Sequence, residues 1–583
     1  MPKRILSAIG RLKPWKPTRS LPSYNEPTPE TSRKLSREEE AELALKHTAF
    51  APGTAMSLIA LFLLTIAVVP AIQLVSELGA RGAAGTLPMF NVFKLLPSAA
   101  KIAAVRSAID VWQLLPHSDE IKAAEKTLET ESVVSQRLLP AVQSLLTGKF
   151  GAGNEQVYLG RDGWLFYRPD VDYVTAPGFL DPAQLKRRAH AAAVAPDPVN
   201  AIVQFRDQLA ARGIDLVVVP APAKSTIEPE KMSARAAWNA ALQNASFQEF
   251  ASRLTAAGVQ MFDPVPALME RKASAPDAPL YLRTDTHWRP ETMQFVTQKL
   301  AATLNLPPPQ QERTTRVLPA EETALGDVAR MLKLPETQRL YQPENATTHQ
   351  VIVGNGFWNP SADADVLVLG DSFANIFSLE TLGWGEAAGF VEHLSVALGG
   401  RPLDCILRNS DGAFATREML ARDLARGRDR LAGKKLVIWE FAARELAFGN
   451  WKPIELKLGT PAPSHFFTPG IGEEVEVTGT IAAVSSAPRP GSVPYKDHII
   501  ATHLVDLEVP GRPPSDRFQA LIYLTSMADN KWTSAARLRV GDRIRLHVRA
   551  WSEVADQKEQ INRSDLDDPA LQLEEPVWGE FVR

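Results

Sequence analysis

Between Thr48 and Ser76 the chain carries no charged side chain, and the centre of that run, Met56 to Val69, is almost wholly apolar. A run of this length can cross a bilayer as a helix, for which about 20 residues suffice. Cytoplasmic flanks of such helices are enriched in Lys and Arg. The 47 residues before Thr48 hold ten basic residues, six of them before Leu21 with no acid among them. The expectation is therefore a cytoplasmic N-terminus, one spanning helix, and export of the remainder. A cleaved signal peptide normally has a shorter basic start and a shorter apolar core. A core helix of a soluble protein is seldom apolar all round. Both alternatives fit less well than an uncleaved anchor over 48–76.

At 583 residues the chain is too long for one ordinary domain. Its net charge of −3 gives no global pull towards nucleic acid. The single cysteine, Cys405, excludes an intrachain disulfide, and no Cys/His spacing suggests a zinc site. Residues 1–47 read as a largely disordered tail, with a short helix possible over 36–47, where Ser36 and Glu39 have capping-box spacing. Within residues 77–149, Leu95 to about Lys149 carries helix-period apolar positions such as Ile102, Val105, Ile109 and Trp112, which predict two helices broken near Pro116. They suggest either a helical stalk or helices packed onto the next domain.

From about 150 to 460, short apolar runs alternate with amphipathic stretches. Candidate strands are Ile214–Val219, Val259–Phe262, Val366–Leu369, Leu403–Leu407 and Leu436–Trp439. Candidate helices include Pro198–Arg212, Ala234–Ala257, Pro290–Leu304 and Thr416–Leu431. That rhythm predicts an α/β fold with a parallel sheet covered on both faces. Residues 307–360, rich in Pro, Thr and Asn, break it and read as a loop insertion. Residues 470–583 change character to alternating runs separated by turn signals, which predicts a small all-β domain, a five-stranded barrel of the OB type.

Two short strings carry the chemistry. Gly370-Asp371-Ser372-Phe373 follows the apolar run Val366–Leu369, so Ser372 stands at the exit of a buried strand, where α/β sheets place their ligands. Asp285-Thr286-His287-Trp288 offers a base and a carboxylate; in an extended segment residues two apart share a side. A serine hydroxyl needs an adjacent base to become nucleophilic, and a carboxylate fixes that base's tautomer. The backbone N–H of Ser372 would face a developing oxyanion at a helix start. Gly400 is the candidate for a second donor, with Asn409 as runner-up. Each string alone is weak. Asp-x-His can be a metal half-site, and Gly-Asp-Ser can be a capped strand-to-helix turn. Trp164, Tyr167, Trp288 and Trp384 could stack on sugar rings, although such aromatics more often complete a core. Lys224, at a strand exit, faces either the site or a surface acid, and Cys405 reads as inert core.

The Gly-Asp-Ser-Phe block after a strand resembles the nucleophile block of SGNH hydrolases. An Asp-x-His placed before the serine resembles the alginate O-acetyltransferase family, SGNH-like periplasmic proteins of exopolysaccharide acetylation. Val157–Tyr167, Val219–Lys224 and Val437–Leu446 resemble that family's opening, strand-end and closing blocks. The resemblance spans about 150–450. It implies an SGNH-like three-layer sandwich with Ser372 as nucleophile, His287 as base and Asp285 as its orienting acid. Arg401, Trp288 and Tyr167 are candidate substrate contacts. The resemblance also implies an anchor in the bacterial inner membrane, a polysaccharide substrate, and a multipass membrane acyltransferase that supplies acetyl groups. It implies neither a cofactor nor a metal. An acetyl esterase on the same triad is the alternative, and a non-catalytic polysaccharide-binding or assembly protein is a further one.

Overall fold

The computed structural model describes residues 52–79, isolated positions between 95 and 128, and 132–582 apart from 193, 310–312, 410–411, 461–463, 492, 494, 514–516, 560, 567 and 569. The expected tail over 1–47 and most of the expected stalk lie outside the described residues. The apolar run forms α1 (Pro52–Gly79), with Leu58, Leu61, Phe62 and Leu63 exposed along it. It is the one helix among the described residues long and apolar enough to span a membrane. Residues 48–51 of the expected 48–76 span lie outside the described residues, and the helix continues past 76 to Gly79. A second helix, α2 (Val133–Phe150), closes the region read as stalk.

The domain after α2 opens with the antiparallel pair β1 (Val157–Leu159) and β2 (Leu165–Tyr167). Helix α3 (Pro198–Ala210) starts where Asp197 accepts the Val199 N–H, a side-chain N-cap ahead of a proline at the first helical position. It leads into β3 (Asp215–Ala221). Then come α4 (Phe247–Ala256), β4 (Gln260–Met261) and α5 (Pro290–Thr303). An antiparallel ribbon follows, β5 (Thr315–Ala324) against β6 (Glu344–Val353), with β7 (Gly356–Phe357) beside it. The sheet resumes with β8 (Val366–Gly370), α6 (Phe390–Ala397), β9 (Asp404–Leu407), α7 (Phe414–Ala425) and β10 (Leu436–Ala442).

The parallel sheet runs β4-β3-β10-β8-β9, so all five strands expected from sequence are present. Its alternation decides the layers. Val217, Val219, Val366, Val368 and Ile438 point into one core with α5 and α6. Leu216, Val218, Leu367, Leu369 and Trp439 point into the other with α3, α4 and α7. Strands buried on both faces read as unbroken apolar runs for this reason. Removing one such side chain costs roughly 2–5 kcal/mol.

Two expectations fail. The helix read over 234–257 starts only at Phe247. Asn244 uses its side chain to accept the N–H groups of Phe179 and Ser246 and to donate to the Tyr173 carbonyl. Such local bonding competes with helix. The region 307–360 is not a loop but a ten-rung β ladder plus a short helix, Asp327–Met331. Its strands are charged and polar on their exposed faces, and β5 contains Pro319, so no apolar alternation announces them.

The C-terminal region contains β11 (Val475–Val484), β12 (His498–Glu508), β13 (Phe518–Ala528), β14 (Arg543–Ala550) and β15 (Val577–Phe581). Their pairings close a ring, β11-β12-β13-β15-β14 and back to β11, with β13 and β15 parallel. The barrel is filled by Val477, Ile500, Leu504, Ile522, Leu546 and Val577.

Candidate active site

Strand β8 ends at Gly370, which has no room for a side chain. A Cβ there would lie 2.7 Å from the Ala374 Cβ and 2.9 Å from Leu407. The next residue, Asp371, is held from three sides. Its Oδ1 accepts the Phe373 N–H at 2.8 Å, its Oδ2 accepts the Ala442 N–H at 2.7 Å, and its own N–H donates to Glu440 Oε2 at 3.1 Å. The Phe373 bond is an N-cap for the helical turn Ser372–Asn375. Ser372 is thus the first residue of a turn fastened to β10, half-buried at the carboxyl end of the sheet.

Asp285 and His287 come from the loop between Tyr281 and Trp288, which pair as an isolated antiparallel bridge. The segment is bent rather than extended, so the expected pleat does not bring the two together. A local turn does: the His287 N–H donates to Asp285 Oδ1 at 3.1 Å. The same oxygen lies 2.7 Å from His287 Nδ1, and His287 Nε2 lies 2.9 Å from Ser372 Oγ. Serine, imidazole and carboxylate therefore form one continuous hydrogen-bonded line.

The other Asp285 oxygen, Oδ2, accepts the Trp384 indole N–H at 2.9 Å and the Asp327 backbone N–H at 2.9 Å. Asp327 in turn accepts the Thr286 N–H at 2.7 Å and lies within hydrogen-bond reach of the Thr286 hydroxyl. Gly326 makes this approach possible, since a Cβ there would lie 2.3 Å from the Thr284 carbonyl carbon and oxygen. Glu344, from the ribbon, accepts the N–H groups of Arg283 and Thr284 at 3.0 Å. The fully buried Lys224 donates to the carbonyls of Leu165, at 2.7 Å, and Arg283, at 3.3 Å.

Burial by itself would raise the Asp285 carboxyl. The hydrogen bond and charge of His287, with the N–H groups of Asp327 and Trp384, outweigh it and hold the group well below the usual carboxylate range. Burial opposes a charged imidazole at His287, yet the bond to Asp285 and its charge raise the group. Asp327 is pushed up to about 6 by burial and by the charge of Asp285. Glu440, fully buried under the serine turn, is raised well above its usual value by burial and by Asp371. Burial lowers Lys224 to about 8. Asp285, His287 and Asp327 each bring one possible ligand atom within 4.8 Å of the others. The carboxylate oxygens, however, face the backbone N–H groups of Thr286, His287 and Asp327, the Trp384 indole N–H and the Thr286 hydroxyl, which suits a hydrogen-bonded network.

Not every expected site residue belongs here. Gly400 and Arg401 lie before β9, beside the amino ends of the strands, whereas Ser372 follows the carboxyl end of β8. The Gly400 N–H donates to the Ser395 carbonyl at 2.9 Å, so it is committed to ending α6. Arg401 is buried against Asp365, 2.7 Å away, and donates to the Pro307 carbonyl. Both readings are corrected. Their motif sits in the connection that enters a strand, not the one that leaves it. Trp288 is fully buried, with its N–H on the Phe373 carbonyl at 3.2 Å, and is core rather than a sugar platform. Trp164 and Trp384 are buried as well. Asn409 does stand at the correct end, where its side-chain oxygen accepts from Asn375 at 3.3 Å. Tyr167 is half-exposed beneath the Arg444 guanidinium, 5.3 Å from its ring centre, and the same guanidinium lies 5.8 Å from the Phe373 ring. Cys405 is buried, its thiol pushed up to about 12 by burial. Sequence reasoning missed Asp327 and Glu344, and it read Trp384 as a sugar platform or core aromatic where the indole instead donates to the acid. Only their contacts reveal them.

A three-layer α/β sandwich with this line of side chains at its strand ends is of the SGNH-hydrolase-like class. Within that class, residues 157–443 match the family described as SGNH hydrolase-like domain, acetyltransferase AlgX. The resemblance to the alginate O-acetyltransferase family therefore holds for this domain. The probable alginate O-acetylase AlgJ of Pseudomonas aeruginosa is 32% identical over 189 residues, covering 32% of this chain and 43% of that relative's length. The probable alginate O-acetylase AlgJ of Azotobacter vinelandii is 27% identical over 309 residues, 51% of this chain and 71% of the relative. Among solved structures, the O-acetyltransferase domain of Pseudomonas putida AlgJ superposes with a TM-score of 0.38 at 23% identity, covering 50% of this chain and 93% of that one.

Proposed function

We propose that this protein is a membrane-anchored serine O-acetyltransferase that acetylates hydroxyls of an exported polysaccharide. The observation that carries the reading is the unbroken line Ser372 Oγ–His287 Nε2, His287 Nδ1–Asp285 Oδ1, at 2.9 and 2.7 Å. Ser372 Oγ attacks the carbonyl of an acetyl donor while His287 Nε2 takes its proton. His287 returns that proton to the leaving group, and an acetyl-serine remains. A sugar hydroxyl then attacks the acetyl-serine, giving its proton to His287, which restores the Ser372 hydroxyl. Asp285 holds the imidazole tautomer and stabilises its charged form throughout.

The Ser372 N–H and the Asn409 side-chain amide are the donors we assign to the tetrahedral oxyanion; one such donor contributes about 3–4 kcal/mol. Tyr167 stands at the edge of the site as a substrate contact. The acetyl group comes from a multipass membrane acyltransferase. Helix α1 holds the enzyme in the bacterial inner membrane with its N-terminus cytoplasmic and the 150–460 domain periplasmic. The barrel, which we read as OB-like, is an accessory domain.

The test uses purified protein, an activated acetyl ester, and an oligosaccharide acceptor. Acetylated sugar is the expected product, and Ser372→Ala should abolish it. Free acetate alone, with or without the sugar, would mean an esterase. Retained acetylation by Ser372→Ala would remove the serine mechanism.

A further inference from the structure

We infer that Arg537 and Arg539 of the barrel are positioning residues for the Asp285–His287 pair, acting through the segment 378–387 and the indole of Trp384. The inference rests on the acid–base reading above and adds a role for the domain outside the family match. Trp384 is fully buried and donates to Asp285 Oδ2 at 2.9 Å. The backbone carrying it is unusual. Gly383 and Gly385 flank the indole with φ of 90° and 87°, and Ala387 has φ of 55°, a left-handed conformation that a residue with a Cβ adopts only when its surroundings impose it.

Those surroundings come partly from the barrel. Arg537 lies 2.6 Å from Glu380 and donates to Glu386 at 2.9 Å, so one guanidinium ties together the two acids that bracket Trp384. Arg539 donates to the Ser378 carbonyl and lies 3.5 Å from Glu392 Oε1. That carbonyl also accepts the Ala387 N–H at 3.3 Å, closing the neck of the segment. Glu392 is buried, with the Ser378 hydroxyl 2.8 and 2.7 Å from its two oxygens; among the described residues Arg539 is the cation paired with it. A buried carboxylate without its cation is unfavourable, so removing Arg539 relaxes the neck that fixes the indole. The path from barrel to triad thus runs over named contacts: Arg539 to Ser378 and Ala387, Arg537 across Glu380 and Glu386, and Trp384 to Asp285.

The full-length chain in detergent, with an activated acetyl ester, provides the test. Arg539→Gln and Arg537→Gln should each lower kcat roughly two- to thirty-fold with KM little changed. Each should move the acidic limb of the pH profile in the direction seen for Trp384→Phe. Combining either with Trp384→Phe should add no further loss, and Arg539→Lys should recover part of the activity. An unmoved acidic limb, or losses that multiply in the double variants, overturns the inference. If Arg539→Gln does not fold, Arg537→Gln, which is more exposed, gives the same readouts. The downfield proton resonance of His287 Nδ1–H is a second measure that does not depend on acetyl transfer. It should shift in the arginine variants, and an unchanged resonance overturns the coupling. Wild-type protein that transfers no acetyl group would instead remove the functional reading, leaving the resonance to decide the coupling.

Discussion

At the scale of single residues, two carboxylates near one imidazole are driven apart by their surroundings. Asp285 stays ionised because donors converge on it, while Asp327 is raised by burial and by its neighbour's charge. His287 is raised above its ordinary value of 6.5. A general base works only when neutral, so activity should fall on acidification from a pH above the usual histidine range. Asp327 contributes to raising His287. Replacing it by Asn, which can still accept from Thr286, should move the acidic limb of the rate profile to lower pH. A limb that stays put would mean the Asp327 charge does not reach the imidazole. Stability should follow the opposite sign. A histidine raised in the folded state stabilises fully below its unfolded value and loses that contribution as pH rises through the folded one. The stability difference between wild type and His287→Asn, measured by urea denaturation, should therefore shrink as pH climbs past neutrality. Asp285, lowered on folding, contributes above its ordinary 3.8 and loses that contribution only as pH falls through its folded value.

At the scale of elements, what could be read in the sequence and what could not divide along one physical line. Strands β3, β8 and β10 are buried on both faces, so the runs Leu216–Val219, Val366–Leu369 and Leu436–Trp439 within them are apolar without interruption and announce themselves. The serine turn was legible because strand, glycine and cap follow each other in the chain. Asp285 and His287 were legible as a pair, but the reason given was not the one found: an Asx-type turn joins them, where a pleat was expected. The ribbon β5–β6 was invisible because polar residues interrupt both strands, yet the connection between them carries Asp327 to the site and β6 carries Glu344. Gly326 is the tightest point of that delivery. Gly326→Ala would press a methyl group into the Thr284 backbone, which cannot rotate away as a side chain can. We expect a loss of about 1–3 kcal/mol in stability and a larger loss of ester turnover. Equal activity with unchanged melting would show that the ribbon does not set the acid's position.

At the scale of the whole molecule, one apolar helix, an α/β domain and a closed barrel follow in the order expected from the changes in composition. The expected count of five barrel strands holds, with Val577–Phe581 as a short strand that follows a polar stretch. If α1 spans the bilayer, the protein should remain with membranes through an alkaline carbonate wash and leave them only in detergent. Release by carbonate alone would make α1 something other than an anchor.

Two contacts of the acid–base line join positions far apart along the chain: 85 residues separate His287 from Ser372, and 99 separate Asp285 from Trp384. Each of these contacts closes a long loop before it gains anything, and such closures come late in folding. During refolding, helical signal should return ahead of reactivity towards the ester. The serine stays without its base in any half-finished chain, so Ser372 Oγ meets His287 Nε2 only when the architecture around both is complete.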